Sequence, residues 1–258
     1  MSDAPGMSGE PTAWLVTGAT GQLGTDLQAV LAGQDVTALG RNRLDLTDED
    51  QVRGVVPPAA DDALARGARP VVLNAAAYTA VDAAETDEDT AHRVNGLAPG
   101  WLAEELAGTG RLVHVSTDYV FAGDGTRPYR ADDEPAPRTA YGRTKLAGER
   151  AVATAGGDAV VVRTAWVHGR HGRNFVRTMV ELERSRETVS VVSDQVGSPT
   201  WSADLAAGLV EVGRRDTPAP ALLHFVNTGA VSWHGLAQAV FEEVGADPAR
   251  VLETSSTE

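Results

Sequence analysis

The glycine-rich turn near the N-terminus is the feature that most constrains the fold of this chain. Residues 13–16 form an apolar run typical of a short buried strand, and Gly18, Gly21 and Gly24 follow it directly. Glycine permits a tight turn that brings the backbone close to a phosphate, and the next helix supplies amide donors. The pattern predicts the first unit of a dinucleotide-binding fold. An ordinary strand-to-helix turn is the alternative, because the Gly-x-x-Gly-x-x-Gly spacing departs from the Gly-x-Gly-x-x-Gly fingerprint.

Apolar runs alternate with helical patterns through the first two thirds of the chain. Further strand-like runs occupy residues 35–39, 70–73, 111–115 and 159–163. Helical patterns occupy residues 26–31 and 90–107 and the segment around Tyr141, and Pro99 predicts a bend or break in the second of them. This alternation predicts an α/β fold with a doubly wound, Rossmann-like parallel sheet. In such sheets ligands bind at the carboxyl ends of the strands.

The regular alternation weakens after Arg163, which predicts a smaller, discontinuous substrate-binding lobe. We expect a disordered leader at 1–11 and a dinucleotide-binding domain at 12–165 plus about 187–228. The lobe would then comprise about 166–186 plus 229–258. The strand-like run at 189–192 falls within the larger domain in this division.

Composition excludes several classes of function. The chain has no cysteine, which excludes disulfides and thiolate metal sites and suits a cytoplasmic protein. Its net charge of −14 gives an acidic surface that repels phosphate backbones, so no nucleic-acid partner is expected. No apolar run approaches the ~20 residues that span a bilayer, so no membrane partner is expected. The six histidines show no metal-ligand spacing, and no metal site is predicted.

The end of the second strand indicates which dinucleotide is preferred. An acidic residue there would bind a ribose 2′-hydroxyl, whereas an arginine accommodates a 2′-phosphate. The sequence has Gly40 where the acid is often found, followed by Arg41 and Arg43, which predicts NADPH in preference to NADH. The alternative is that both arginines are exposed loop cations. Asp45, which precedes Leu46, is expected to reach the adenine amino group.

Tyr141 and Lys145 lie four residues apart on a predicted helix, so their side chains share one face. A nearby ammonium favours the phenolate and lowers the tyrosine pKa from its usual value of about 10. This tuning suits a general acid that protonates a developing alkoxide. The spacing alone is weak evidence, because it arises often by chance on exposed helices. Ser116, Thr117 and Asp118 lie upstream, after an apolar strand.

In this order, the motifs resemble those of the extended short-chain dehydrogenase/reductase superfamily. Within it, the chain is similar to the dTDP-4-dehydrorhamnose reductase family. The stretches that carry this similarity are NAAAYTAVD at 74–82, STDYVF at 116–121, YGRTKLAGE at 141–149, RTAWV at 163–167 and DQVGSPT at 194–200. The resemblance covers roughly residues 14–251, and the five ordered motifs are specific together although each is short.

The resemblance implies a role for each candidate residue. Tyr141 would donate a proton to the C4 carbonyl oxygen of the sugar, and Lys145 would lower the pKa of that tyrosine and hold the nicotinamide ribose. Thr117, with Asp118 beside it, would orient the sugar and hydrogen-bond the reacting oxygen. Trp166 would lie in the sugar pocket, with core packing as the alternative. The other expected cofactor-binding residues are Gly18, Gly21, Gln22, Leu23, Gly24, Arg41, Asp45, Leu46, Ala77, Tyr78, Thr79 and Val115.

The implied reaction is the NADPH-dependent reduction of the C4 ketone of a dTDP-4-dehydro-6-deoxy-L-hexose to dTDP-L-rhamnose. Related 4,6-dehydratases carry a glutamate where this chain has Tyr119, so reduction is expected rather than elimination. One alternative is a ketoreductase for a related, streptose-type dTDP-deoxysugar. Another is a non-catalytic, dinucleotide-binding regulatory subunit, against which the joint presence of Thr117, Tyr141 and Lys145 argues.

Two departures from the family pattern concern dimerisation and the binding of the nucleotide sugar. Some similar proteins hold magnesium at a dimer contact through glutamates, whereas this chain has Asp26 and Asp204 near those positions. Metal-dependent dimerisation is therefore not expected, and a monomer and a homodimer both remain open. Similar chains continue beyond Val251 into an Arg/Pro-rich segment that covers the nucleotide sugar. Here the sequence ends at Glu258, which implies an incomplete lobe or an altered nucleotide grip.

Overall fold

The computed structural model describes residues 11–215 and 221–257, so the predicted leader lies outside the described residues except for Pro11. The helices and strands, in chain order, are β1 (Thr12–Thr17), α1 (Gln22–Val30), β2 (Asp35–Leu39), α2 (Glu49–Ala65), β3 (Arg69–Asn74), α3 (Val81–Ala84), α4 (Glu88–His92), a π-helical segment (Arg93–Leu97), α5 (Ala98–Leu106), β4 (Arg111–Thr117), a 3-10 turn (Asp118–Val120), α6 (Ala140–Ala155), β5 (Asp158–Thr164), β6 (Val167–His168), α7 (Phe175–Ser185), β7 (Val189–Val192), β8 (Val196–Gly197), β9 (Thr200–Trp201), α8 (Ser202–Arg214), β10 (Leu222–His224), β11 (Val231–Ser232), α9 (Trp233–Glu243), a second 3-10 turn (Pro248–Arg250) and β12 (Val251–Thr254).

Within the described ranges, six parallel strands form the central sheet in the order β2-β1-β3-β4-β5-β10. The strands are apolar along most of their length because helices cover both faces of the sheet. β1 pairs with β2 on one side and with β3 on the other, so the direction in which strands are added reverses at β1. The predicted doubly wound parallel sheet is confirmed. Its switch point between β1 and β3 is where such folds bind ligands.

Helices form one layer on each face of the sheet. On one face, α2 and α5 bury apolar side chains that include Val52, Val56 and Leu102. On the other face, α1 and α8 bury Leu27 and Leu205 among others. Of the helices described, none combines the length and the apolar character needed to cross a membrane.

The predicted helix at 90–107 is interrupted by one π-helical segment, Arg93–Leu97. Pro99 lies in the first turn of α5, where its missing N–H leaves no helical hydrogen bond unmade. The irregular backbone thus precedes the proline. A π segment places an extra residue in the turn and re-aims its side chains. Here it buries Asn95 completely, at 0% exposure.

A smaller lobe packs around a separate core formed by α7, α9, β7 and β12, with Met179, Phe241 and Val251 at its centre. β7 pairs in parallel with β12, not with the central sheet. The packing of Val189–Val192 therefore favours assigning this strand to the lobe, in contrast to our division from the sequence. β10 then returns the chain to the edge of the sheet beside β5. The other domain boundaries stay predictions.

Candidate active site

A cavity of about 920 Å³ lies over the carboxyl ends of the central strands. This volume is near the upper end of the range for small-molecule sites. The predicted site residues that line it are Gly18, Gly21, Gln22, Leu23, Arg41, Asp45, Leu46, Ala77, Tyr78, Thr79, Val115, Thr117, Asp118, Tyr141, Lys145 and Trp166. Gly24, also predicted to bind the cofactor, packs behind the glycine turn instead. The fold therefore gathers around one cavity residues that are spread over most of the chain.

The glycine turn allows β1 and the segment after β3 to approach closely. Gly18 has a φ of 63°, and a Cβ there would lie 2.7 Å from the backbone nitrogen of Ala76. A Cβ on Gly24 would overlap the carbonyl of Gly18. Helix α1 follows with Gly21 as its N-cap, and none of the described side chains caps it. The first-turn amides of a helix can bind an anion, so this turn suits the pyrophosphate of a dinucleotide.

Arg41 and Asp45 bring opposite charges to the cavity beyond β2. Arg41 Nε pairs with the Asp45 carboxylate at 3.3 Å, and the arginine side chain is 78% exposed. Hydrogen bonds donated by Thr47, supported by Arg41, hold the pKa of Asp45 below its ordinary value. Arg43 instead donates to the carbonyl oxygen of Ala38 at 3.0 Å. Of the two arginines, Arg41 is therefore the one that lines the cavity.

Asn95 was not identified from the sequence, yet it holds two parts of the site together. Its Oδ1 accepts a hydrogen bond from the Tyr78 amide at 2.9 Å, and its Nδ2 donates to the Tyr78 carbonyl at 3.0 Å. The same Nδ2 lies 3.2 Å from Thr144 Oγ1, which donates to the carbonyl of Tyr141 at 2.9 Å. One buried amide thus joins the cavity-lining segment after β3 to the helix that carries Tyr141. In the sequence, its only signal is an asparagine within a helical pattern.

Helix α6 places Tyr141 and Lys145 at the cavity. The helix begins at Ala140 because Thr139 acts as its N-cap, accepting a hydrogen bond from the Gly142 amide at 3.1 Å. The side chains of Tyr141 and Thr117, the latter at the end of β4, both line the cavity and influence each other there. Lys145 is almost fully buried one turn further along the helix. The phenol, the threonine hydroxyl and the ammonium therefore meet where β4 ends.

The environment of Tyr141 keeps its phenol protonated. Burial raises the pKa of Tyr141 well above its ordinary value, the neighbouring Thr117 side chain opposes the rise, and Asp118 adds to it. The expected lowering of this pKa by Lys145 is not seen, because burial dominates and Lys145 Nζ donates to the Val115 carbonyl at 2.7 Å. A protonated phenol at neutral pH is the state that a proton donor requires.

The two ionisable groups beside Tyr141 titrate closer to neutral pH. Burial lowers the pKa of Lys145 to about 8, opposed by the negative charge of Glu149. Burial raises the pKa of Asp118 to about 6, although hydrogen bonds, chiefly from Thr117, oppose the rise. Between these two values the cavity contains a carboxylate and an ammonium around a neutral phenol.

Two stacked indoles form the wall of the cavity towards the lobe. Trp166 has a φ of 49°, a region that bulky side chains rarely occupy. Its ring stacks on Trp233, with 3.5 Å between centroids and 9° between planes. A Cβ on Gly197 would lie 2.5 Å from the Trp166 ring, so this glycine makes room for it. Trp233 also lines the cavity, and its neighbour in the stack is 67 positions away in the sequence.

The residues near the family's magnesium positions have other partners. Asp26 accepts a hydrogen bond from the Ser202 hydroxyl, and His171 Nε2 lies 3.8 Å from its carboxylate. Asp204 accepts from Asn227 Nδ2 at 2.8 Å. Among residues 11–215 and 221–257, no three histidine, aspartate or glutamate side chains form a group that could hold a metal ion.

Comparisons with known proteins agree with the geometry of this site. A probable dTDP-4,6-dihydroxy-2-methyloxan-3-one 4-ketoreductase of Streptomyces antibioticus is 50% identical, over 94% of this chain and 80% of its own length. A dTDP-4-dehydrorhamnose reductase of Streptomyces griseus is 48% identical over the same shares of the two chains.

The fold comparison points in the same direction. The crystal structure of the dTDP-4-dehydrorhamnose reductase of Bacillus anthracis in complex with NADP matches with a TM-score of 0.87 and 36% identity. The match covers 96% of this chain and 85% of that one. Residues 12–258 match the family described as the RmlD substrate binding domain. The chain therefore belongs to the RmlD family, together with the dTDP-4-dehydrorhamnose reductases that it resembles.

Proposed function

We propose that this protein reduces the C4 ketone of a dTDP-4-dehydro-6-deoxy-L-hexose with NADPH and yields dTDP-L-rhamnose. The observation that carries the proposal is the meeting of Thr117, Tyr141 and Lys145 at a cavity that the glycine turn also lines. Relatives that are 48–50% identical bear the names of reductases of dTDP-sugar ketones, and a solved relative contains NADP.

The chain's own residues would orient the ketone and supply its proton. NADPH, when bound, supplies the hydride for sugar C4. Tyr141 donates its phenolic proton to the C4 oxygen. Thr117, whose hydroxyl donates to Asp118 at 3.0 Å in the structure, would turn this hydrogen bond to the C4 oxygen when the sugar binds. Lys145, whose ammonium donates to the Val115 carbonyl at 2.7 Å, would hold the nicotinamide ribose. The ketone thus gains a hydride and a proton, and becomes an alcohol.

Tyr119 favours reduction over elimination. Its ring packs edge-on against Tyr141, with centroids 5.5 Å apart and planes at 76°. Burial raises the pKa of Tyr119, so its phenol stays neutral. A neutral phenol with a raised pKa is a poor base for removing a proton from sugar carbon, which is the role of the dehydratase glutamate at this position.

Arg41 should determine the preference between NADPH and NADH. Replacing Arg41 with alanine is expected to lower kcat/KM for NADPH about tenfold and to leave that for NADH nearly unchanged, because the 2′-phosphate is the group that distinguishes the two cofactors. Steady-state kinetics with both cofactors measure this. Arg43→Ala is the matched control, since Arg43 contacts the Ala38 carbonyl instead. An equal loss with both cofactors, or a tenfold preference of the wild type for NADH, would contradict the assignment.

The pH profile of kcat/KM should be bell-shaped, because this parameter reports groups of the free enzyme. Asp118 is ionised above about pH 6 and can then accept a hydrogen bond from a sugar hydroxyl. Lys145 carries its charge below about pH 8 and loses it as the pH rises. Asp118→Asn should remove the acidic limb and leave the alkaline limb in place. If the Asp118→Asn profile keeps an acidic limb near pH 6, ionisation of Asp118 is not the cause of that limb.

Reduction of a related dTDP-deoxysugar ketone is the second candidate, because the ketoreductase of Streptomyces antibioticus is 50% identical to this chain. Its product would be another dTDP-deoxysugar, including one of the streptose type. The test follows NADPH oxidation with dTDP-4-dehydro-L-rhamnose and with dTDP-4-keto-6-deoxy-D-glucose. Our proposal predicts at least about tenfold higher kcat/KM for the first, a difference within the range of one pocket contact. NADPH binding without turnover of any ketone would favour a regulatory subunit.

A further inference from the structure

A ladder of buried polar side chains crosses the central sheet from the glycine turn to Lys145. We define the ladder as Thr17, Asn74 and His114. Thr17 Oγ1 donates to Asn74 Oδ1 at 2.7 Å, and Asn74 Nδ2 lies 3.0 Å from His114 Nδ1. His114 Nε2 lies 3.5 Å from Lys145 Nζ. The side chains of the ladder and of Lys145 are at most 1% exposed, so their polar atoms depend on partners within the protein.

The register of the sheet explains why these residues meet. Thr17 of β1 is the cross-strand partner of Asn74 of β3, and Asn74 is the partner of His114 of β4. Cross-strand partners project to the same face of a sheet, so the three side chains stand in one row. On the same strand as His114, Val113 points to the opposite face and packs in an apolar cluster. The row is thus a polar line through an otherwise apolar layer, directed at α6.

The charge of Lys145 determines which nitrogen of His114 carries the proton. An ammonium has only donors, so the nitrogen that faces it must accept. Burial and the charge of Lys145 hold the pKa of His114 well below its ordinary value, so its ring is neutral and has one N–H. In the structure Asn74 turns Nδ2 toward His114 and Oδ1 toward Thr17. A half-turn of the amide exchanges these two atoms, so that Oδ1 faces His114 and Nδ2 donates to Thr17 Oγ1. Only the oxygen accepts Nδ1–H and leaves Nε2 unprotonated towards Lys145.

We propose that His114 is a positioning residue for Lys145, holding the ammonium at the end of β4 through an unprotonated Nε2, with Thr17 and Asn74 fixing the ring. The proposal rests on the role assigned to Lys145 under the proposed function. His114 Nε2 is then a second acceptor for the ammonium, in addition to the Val115 carbonyl. Two fixed groups on β4 therefore orient the ammonium. The ladder also joins the last residue before the glycine turn to the proton-transfer site through three side chains.

Other charged groups face Lys145 from several elements. Glu149, on the same helix, favours the ammonium, but its carboxylate is already bonded to Arg163 of β5 and to the Ser116 hydroxyl, each at 2.6 Å. Tyr141 on α6 is neutral. Asp118, in the 3-10 turn after β4, acts on the Tyr141 phenol. His114 is therefore the group on β4 whose change should alter Lys145 without removing another charge.

Two substitutions distinguish the contributions of the two ring nitrogens of His114. In His114→Gln the side-chain amide lies near the position of Nε2, whereas in His114→Asn it lies near that of Nδ1. The alkaline limb of kcat/KM should move down by about one pH unit in H114N, because the buried ammonium loses an acceptor. In H114Q the limb should stay close to that of the wild type. Cofactor affinity and melting temperature, measured for both variants, report any general damage to the fold.

If the alkaline limb lies at the same pH in H114N and H114Q, whether unshifted or shifted equally from the wild type, the proposal is overturned. A second test needs no variant, in case neither one folds. Imidazole nitrogen NMR of the wild-type protein should show a buried, non-titrating histidine with its proton on Nδ1. An Nε2–H tautomer for His114, or a protonated ring, would overturn it equally. This spectrum does not depend on catalysis, so it separates failure of the ladder from failure of the roles of Tyr141 and Lys145.

Discussion

Replacing Tyr141 with phenylalanine is expected to lower kcat by about 10²- to 10⁴-fold, the usual contribution of a positioned general acid. The phenylalanine ring fills nearly the same volume, so the loss isolates the proton that the phenol donates. The interaction of this hydroxyl with Thr117 is lost at the same time. Affinity for NADPH should change little. Steady-state turnover of dTDP-4-dehydro-L-rhamnose and a direct NADPH titration measure the two quantities separately.

The matched control for this prediction is Tyr119→Phe. Tyr119 is the phenol that packs against Tyr141, and it shares the same partly buried setting. Our account predicts that its loss lowers kcat less than about tenfold, because its hydroxyl is not assigned a proton-transfer step. Near wild-type turnover by Tyr141→Phe would remove Tyr141 from its role. An equal loss in the two variants would mean that the packing of this pair, not the proton, limits the rate.

The second large effect concerns the buried ion pair that holds α6 against the sheet. Arg163 Nη2 donates to Glu149 at 2.6 Å, and both side chains are less than 10% exposed. Replacing Glu149 with alanine leaves the guanidinium without its carboxylate, and should lower the free energy of unfolding by about 3–5 kcal/mol. Ser116, which also donates to Glu149, loses its acceptor in the same variant. Denaturant unfolding of wild type and variant measures the difference.

Two comparisons show whether burial causes this loss. Glu211→Ala removes the carboxylate of an exposed ion pair with Arg215, and should cost no more than about 0.5 kcal/mol. The double variant with Glu149→Leu and Arg163→Met should recover much of the lost stability, because no unpaired charge remains buried. A single-variant loss below about 1 kcal/mol would show that water or another group satisfies Arg163. If the single variant folds and the double variant recovers no stability, a buried unpaired charge is not the cause of the loss.

The local parts of the fold follow from the sequence because their causes are local. The run at 13–16 is apolar enough to be a buried strand, and β1 spans Thr12–Thr17. Gly18 needs its positive φ at the end of that strand, so the turn is identified by its glycines. The residues after β3, β4 and β5 could be placed at one edge because parallel strands all present their carboxyl ends there.

The contributions of Asn95, His114 and Trp233 depend on partners that sequence spacing does not reveal. Asn95 reaches Tyr78 only because a π-helical segment turns it inward, and no residue type marks that segment. His114 meets Lys145 through the register of three strands. Trp233 reaches the cavity through the fold of the lobe. The site is thus predictable where it follows strand ends, and not where its supports come from tertiary packing.

Strand β7 illustrates the same limit at the level of domains. Its run of apolar residues predicts a strand, and the structure has one at Val189–Val192. An apolar run does not specify which sheet it joins, and the sequence division placed it with the larger domain. Its partner, β12, begins at Val251, about sixty residues further along, and the two enclose the core around Phe241.

The most direct test of the central claim follows one deuterium from cofactor to sugar. Purified protein is given dTDP-4-dehydro-L-rhamnose and NADPH that is deuterated at the transferable position of nicotinamide C4, and the product is examined by NMR. Our account predicts dTDP-L-rhamnose with deuterium at sugar C4, formed by the wild type and almost absent for Tyr141→Phe in the same time. Cofactor binding without transfer, or deuterium at a sugar carbon other than C4, would contradict it.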